Sequence, residues 1–204
     1  DAEIEVIRWP EPAWGAPVPR AAPAQVLAAP ATRAALIGET FHRLLQWAAG
    51  PNGPPLDDAD QRAVWLDAAV PAAAAEFTLV ADEAALARRA AAAVLASPAC
   101  APLLRGPRID WAGDEVPVAD GGEALRIDRL VALTDPSASL DLFSGGAART
   151  WWVLDYKLEA HPQRDPDNLA QLARYRRVVA ALQVGEPVRA AFINGWGELI
   201  ELPR

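Results

Sequence analysis

Trp151-Trp152-Val153-Leu154-Asp155-Tyr156-Lys157 is the stretch from which the fold can be read. Its aromatic and β-branched run reads as a buried strand. Side chains alternate faces along a strand, so Asp155 and Lys157 point the same way. An unpaired buried charge is costly, so this acid and amine must be paired, hydrated or bound to a metal. Taken alone, the stretch fits a plain ion pair at a strand end as well as it fits a catalytic pair. The surrounding chain has to separate the two.

Working outward, Ala124 to Leu133 is a second strand, with Leu125, Ile127, Arg129 and Val131 alternating against Arg126, Asp128, Leu130 and Ala132. Ile109 to Val118 reads as another. Asp135-Pro136 and Gly145-Gly146 bracket a loop before the opening strand, Arg149 to Leu158, and turn signals between successive strands predict an antiparallel meander. Downstream, Asp165 caps and Pro166 opens a helix to about Leu182. Val188 to Asn194 and Glu198 to Leu202 are the last strands, joined at Gly195-Trp196-Gly197. Upstream, Thr32 caps a helix running to about Ala49, whose apolar stripe includes Leu36, Phe41, Leu44 and Leu45. Gly38 and His42 lie on one face beside that stripe. A second helix is expected from Asp58 to about Val70, before Pro71, and an Ala-rich third from Asp82 to Ala96. Helices, three strands, a helix and two strands make an α/β or α+β domain with one mixed central sheet.

The 204 residues are 52% hydrophobic, enough for one domain with its own core. Residues 1–31, rich in proline and alanine, read as a linker or extension, with Ile4 to Ile7 a short strand and Trp9 and Trp14 available for docking; residues 32–204 are the domain. The chain starts at Asp1 and contains no methionine, from which a fragment of a longer protein is expected. The single cysteine, Cys100, excludes a disulfide framework and a four-cysteine zinc or iron–sulfur site within the chain, which fits a reducing cytoplasm. No apolar run is long enough to cross a bilayer. A net charge of −8 argues against a free-standing nucleic-acid binder, although Arg164, Arg174, Arg176 and Arg177 cluster late in the chain and acids can serve as metal ligands.

Several polar groups then line up along the elements: His42 on a helix, Glu115-x-Pro117 on one strand, Asp128 in Ile127-Asp128-Arg129 on the next, Asp155-Tyr156-Lys157 on the third, and Gln171 and Tyr175 on one face of the following helix. Hydrolysing a phosphodiester requires charge stabilisation at the phosphate and an activated water, and divalent metals supply both. Mg²⁺ takes oxygen ligands and keeps waters, so Asp128 and Asp155 on neighbouring strands suffice. An imidazole extends the set toward Mn²⁺. Lys157 beside the ion can orient or deprotonate the attacking water, or stabilise phosphate charge. Gln171 and Tyr175 can hydrogen-bond the lysine, the water or a phosphate, and the arginines can steer the DNA backbone.

Gly38-x-x-x-His42-x-x-Leu45, Glu115-x-Pro117, Ile127-Asp128-Arg129, Asp155-Tyr156-Lys157 and Gln171-Leu172-x-x-Tyr175, in that order, resemble the motifs of RecB-type nucleases of the PD-(D/E)xK superfamily. The resemblance covers roughly residues 35–195 and implies a restriction-endonuclease-like α/β core, a mixed central sheet flanked by helices. It implies that His42, Asp128, Asp155 and the carbonyl of Tyr156 ligate Mg²⁺ or Mn²⁺, that Lys157 is catalytic alongside Asp128 and Asp155, and that Gln171 and Tyr175 form the helix motif. More narrowly, the chain is similar to the C-terminal nuclease domain of AddA- or RecB-like (UvrD-type) helicase–nucleases, exodeoxyribonuclease V-like enzymes that process double-strand DNA ends for recombination and repair. The implied partners are single-stranded DNA, helicase domains of the same polypeptide and an AddB- or RecC-like subunit. No G-x-x-x-x-G-K-[ST] loop is present, so ATP would serve only a helicase part outside this chain. Leu125 stands where the family often has glycine, Leu158 where a small hydroxyl residue often follows the lysine, and Gln46 where an acid often closes the histidine motif.

Plainer readings stand beside each residue. His42 alone suits a structural helix histidine, Asp128 a salt bridge with Arg126 or Arg129, and Lys157 a simple partner of Asp155. Glu115 is ambiguous between a metal-site neighbour, an outer-sphere ligand and a sheet-edge charge. His161 reads as bystander surface, Cys100 as inert, and Trp151 and Trp152 as core. The rival functions are an inactive nuclease-fold DNA-binding or scaffold module, and a stand-alone repair or restriction nuclease.

Overall fold

The structure, a computed structural model, describes residues 32–134 and 149–203. The expectations for residues 1–31, including Trp9, Trp14 and the short strand, and for the loop from Asp135 to Gly146 lie outside the described residues. Helices α1 (Arg33–Ala49), α2 (Ala59–Glu76), α3 (Ala81–Ala96) and the short α4 (Ala101–Leu104) come first. Strands β1 (Ile109–Asp120), β2 (Glu123–Thr134) and β3 (Arg149–Lys157) follow, then a 3₁₀ turn at Pro162–Arg164, helix α5 (Pro166–Leu182), and strands β4 (Val188–Asn194) and β5 (Leu199–Glu201).

The sheet order is β1-β2-β3-β4-β5. The first three strands form the antiparallel meander, α5 carries the chain over to a parallel β4, and β5 returns antiparallel, so the sheet is mixed. Period-two alternation along β3 divides its side chains between two layers. Trp152, Leu154 and Tyr156 pack with α1–α4, while Trp151 and Val153 pack with Leu172, Tyr175 and Val179 of α5. Both tryptophans are core residues, as their sequence context predicts. Asp155 continues the α5-facing series into the buried edge of that layer, at 3% exposure.

Thr32 Oγ1 accepts from Ala35 N and Asp165 Oδ1 from Asp167 N, the caps the sequence assigns to α1 and α5. Helix α2 does not stop at Pro71 but runs on to Glu76. Pro71 sits on the solvent face, so the Asp67 carbonyl it leaves without a partner stays open to water. The buried stripe of Leu66, Ala69, Val70, Ala73 and Ala74 continues through it on strong helix formers.

Part of the anticipated arginine footprint is engaged within the protein. Arg174 Nε lies 2.6 Å from Asp120 and its Nη2 2.8 Å from Glu123, both at the tip of the β1–β2 hairpin. Arg176 donates to the Pro203 carbonyl, and Arg177 stands 3.7 Å from Asp120. The hairpin tip packs its acids along α5, a juxtaposition that sequence order does not reveal.

Candidate metal centre

The site arises where β2 and β3 part. Their ladder ends at the Arg129–Leu154 pair, while β3 goes on pairing with β4 as far as Lys157–Asn194. The open edge of β3 therefore exposes the N–H and C=O of Tyr156, groups that must find partners when buried. Side chains supply them. Asp128 Oδ2 accepts from Tyr156 N at 2.8 Å, and His42 Nε2, reaching across from α1, lies 2.9 Å from the Tyr156 carbonyl. His42 is oriented by edge-on packing against the Tyr156 and Phe41 rings. Its Nδ1 is 3.7 Å from Asp128.

Glu115 completes the cluster. Pairing of Asp114 with Arg129 and of Val116 with Ile127 sets Glu115 across from Asp128. Its φ of +54° is a left-handed conformation uncommon for a non-glycine residue, held here inside a strand. On β2, Ile127, Leu130 and Ala132 all pack in the α5-side layer, so side-chain alternation slips beside this point. Local irregularity of this kind re-aims side chains at strand edges. Ligand atoms of His42, Glu115 and Asp128 all lie within 4.8 Å of one another. The residue left ambiguous by the sequence is thus in the tightest group, and its cross-strand position opposite Asp128 was the available sign. Glu115 is also held 2.6 Å from Arg126, so Arg126 pairs with Glu115 and not with Asp128. Arg129 turns to the other face, where it is 2% exposed, meets Asp114 at 2.7 Å and donates to the carbonyls of Leu103 and Leu104.

Asp155 and Lys157 do share a face, with Nζ 2.9 Å from Asp155 Oδ2. That contact is a charge pairing without hydrogen-bond alignment: Oδ2 is buried and receives no aligned donor. Burial raises both Asp155 and Asp128 to about 6, with the Asp128 charge adding to the effect on Asp155. Burial lowers His42 and so favours the neutral imidazole, the form that can act as a ligand. Burial disfavours the Lys157 cation too, but the close carboxylates of Asp155 and Asp128 outweigh it, and its pKa is raised. Gln171 Nε2 donates to Tyr175 Oη at 2.9 Å. The Tyr175 phenol is raised mainly by burial, against the hydrogen bond from Gln171. The His42 imidazole with the Asp128 and Glu115 carboxylates forms a donor set that fits a hard divalent cation, while Asp155, the other acid the sequence assigns to the ion, lies beside that group and not within it.

A mixed sheet with helices on both faces and an acid, lysine and histidine cluster at a splayed strand edge defines a restriction-endonuclease-like α/β domain. The chain belongs to the PD-(D/E)XK nuclease superfamily, whose family profile matches residues 19–195. Members of that superfamily are nucleases that use divalent metals, and DNA binding follows from that activity. No curated protein matches the chain. Among the described residues, no helix is long and apolar enough to cross a membrane.

Proposed function

We propose that this domain is a Mg²⁺- or Mn²⁺-dependent deoxyribonuclease acting on single-stranded DNA. The observation that carries the reading is the convergence of His42, Asp128 and the Tyr156 backbone on one point, with Glu115, Asp155 and Lys157 around it. His42, Asp128, Asp155 and the Tyr156 carbonyl would hold the ion, with Glu115 a fifth donor available from β1. A bound divalent cation supplies Lewis-acid stabilisation of phosphate charge and a more acidic water.

The chain's own groups do the rest. Lys157 carries its proton at neutral pH, so it acts as a fixed cation, orienting the attacking water and neutralising charge at the phosphate, and not as the base. Asp155 holds Nζ in place. Gln171 fixes the Tyr175 phenol, whose hydroxyl can hydrogen-bond a phosphate oxygen or the water.

The ordered motifs further support a place in a RecB- or AddA-type helicase–nuclease that processes double-strand breaks, with ATP hydrolysis supplied by a helicase part and an AddB- or RecC-like subunit as partner. An oligonucleotide cleavage assay with Mn²⁺ tests the reading. The expected result is cleavage by the wild type and none by Asp155→Ala or Lys157→Ala. Undiminished cleavage by both variants would sink the active-site assignment.

A further inference from the structure

We propose that the groove beside Leu158 is a nucleobase subsite for single-stranded DNA, with Trp196 as the stacking surface and Arg89 as a phosphate contact; this deepens the nuclease reading and rests on it. The groove, about 560 Å³, runs between α1, α3 and the β4–β5 turn, and Ile37, Leu86, Ala90 and Leu158 line it together with Trp196 and Arg89. It adjoins the metal centre through the chain itself. Leu158 follows Lys157, and Lys157 pairs in register with Asn194, two residues before Trp196. A Cβ added at Gly38 of α1, one helical turn before His42, would stand 4.0 Å from Leu158 Cδ1.

The turn is built to hold its indole out. Asn194 is fully buried, and its Oδ1 accepts from Trp196 N at 3.0 Å and from Glu198 N at 2.9 Å. Its Nδ2 donates to the Ala160 carbonyl at 3.0 Å. Gly197 has φ +76°, and a Cβ there would meet the Ala93 carbonyl oxygen at 2.5 Å; one on Gly195 would stand 3.0 Å from the Leu158 carbonyl oxygen. The turn is therefore seated tightly on α3 and on the end of β3. Even so, Trp196 is 62% exposed and Leu86 across the groove 46% exposed.

The charge pattern selects the occupant. Arg88 on the same helix is matched by Asp67, and Arg174 by Asp120 and Glu123. Arg89 is exposed on the groove and forms no ion pair among the described residues. In a chain of net charge −8, an unmatched guanidinium beside an exposed indole on a tightly seated turn suits a base with its phosphate. An apolar peptide would use the indole and leave the arginine without a partner.

The test is fluorescence anisotropy of labelled oligo-dT with the full chain in EDTA, across a salt series. Trp196→Ala should weaken binding at least about fivefold, and Trp196→Phe should recover most of it, as stacking requires. Arg89→Ala should weaken binding and flatten the log K against log salt slope by about 0.7, one single-strand phosphate contact. Trp111→Ala, which removes a 43%-exposed indole on β1, should leave binding unchanged. Unchanged oligo-dT affinity in Trp196→Ala would overturn the subsite, as would an equal loss in Trp111→Ala. So would a Trp196→Ala effect confined to self-association by light scattering, which would make the groove a protein interface. Mn²⁺-dependent cleavage by the wild type, followed in parallel, reports separately on the nuclease reading: cleavage with unaltered Trp196→Ala binding removes the subsite alone, and absent cleavage removes the nuclease.

Discussion

Replacing Asp128 by Asn should make the metal-free protein more stable at neutral pH while removing its capacity to bind Mn²⁺. Burial raises this carboxyl from 3.8 to about 6, so in the folded chain the ionised form is disfavoured by about 3 kcal/mol relative to the unfolded chain. The sign follows from linkage. A carboxyl whose folded pKa lies above its unfolded value gives stability that is complete below 3.8 and lost as pH rises through about 6. Asparagine carries no such dependence and keeps an oxygen to accept from Tyr156 N, the bond Asp128 makes at 2.8 Å. Because Asp155 titrates with Asp128, part of the penalty is shared, and the expected gain at pH 7.5 is about 1–3 kcal/mol. For a domain of this size that is roughly 3–10 °C in Tm. The gain should shrink toward zero at pH 4. Thermal unfolding in EDTA at several pH values measures this, and the same scans with Mn²⁺ should show a metal-dependent rise in the wild type that is absent from Asp128→Asn. Equal stability of the two proteins at pH 7.5, or a difference that does not change with pH, would refute the account of the buried pair.

Arg129→Ala should destabilise the domain by about 3–5 kcal/mol in urea unfolding, because it leaves Asp114 and the carbonyls of Leu103 and Leu104 without their buried partner. Gly38→Ala should be neutral or stabilising by up to about 1 kcal/mol, since the added Cβ meets only Leu158 Cδ1 at an ordinary 4.0 Å and alanine favours the helix; a loss of stability would mean that Gly38 serves close packing instead.

The helix motif was legible as a face: Gln171 and Tyr175, four apart, do meet. What that pair packs against, Trp151 and Val153 among others, depends on how α5 lies across the sheet, which no spacing encodes. The arginines illustrate the opposite outcome. Their clustering in sequence suggested a footprint for DNA, yet the hairpin tip brings Asp120 and Glu123 against Arg174. Arg89, unremarked in the sequence, keeps its charge free among the described residues because α3 turns it toward the groove and not toward an acid.

What the sequence alone determined was local and periodic. Alternation defined the strands of the meander and put Asp155 and Lys157 on one face, caps and turn residues bounded α1 and α5, and ordered motifs pointed to a nuclease domain. The strands, faces and caps follow from backbone geometry over a few residues, and the nuclease reading from the resemblance of the ordered motifs. Tertiary structure decided where β2 leaves β3, and with it that His42 and Asp128 would meet the Tyr156 backbone. It also twisted Glu115 into a positive φ beside them. His42 and Tyr156 are 114 residues apart in the chain. Their contact depends on the packing of α1 against the whole sheet, and on buried backbone groups that must find partners wherever the ladder stops.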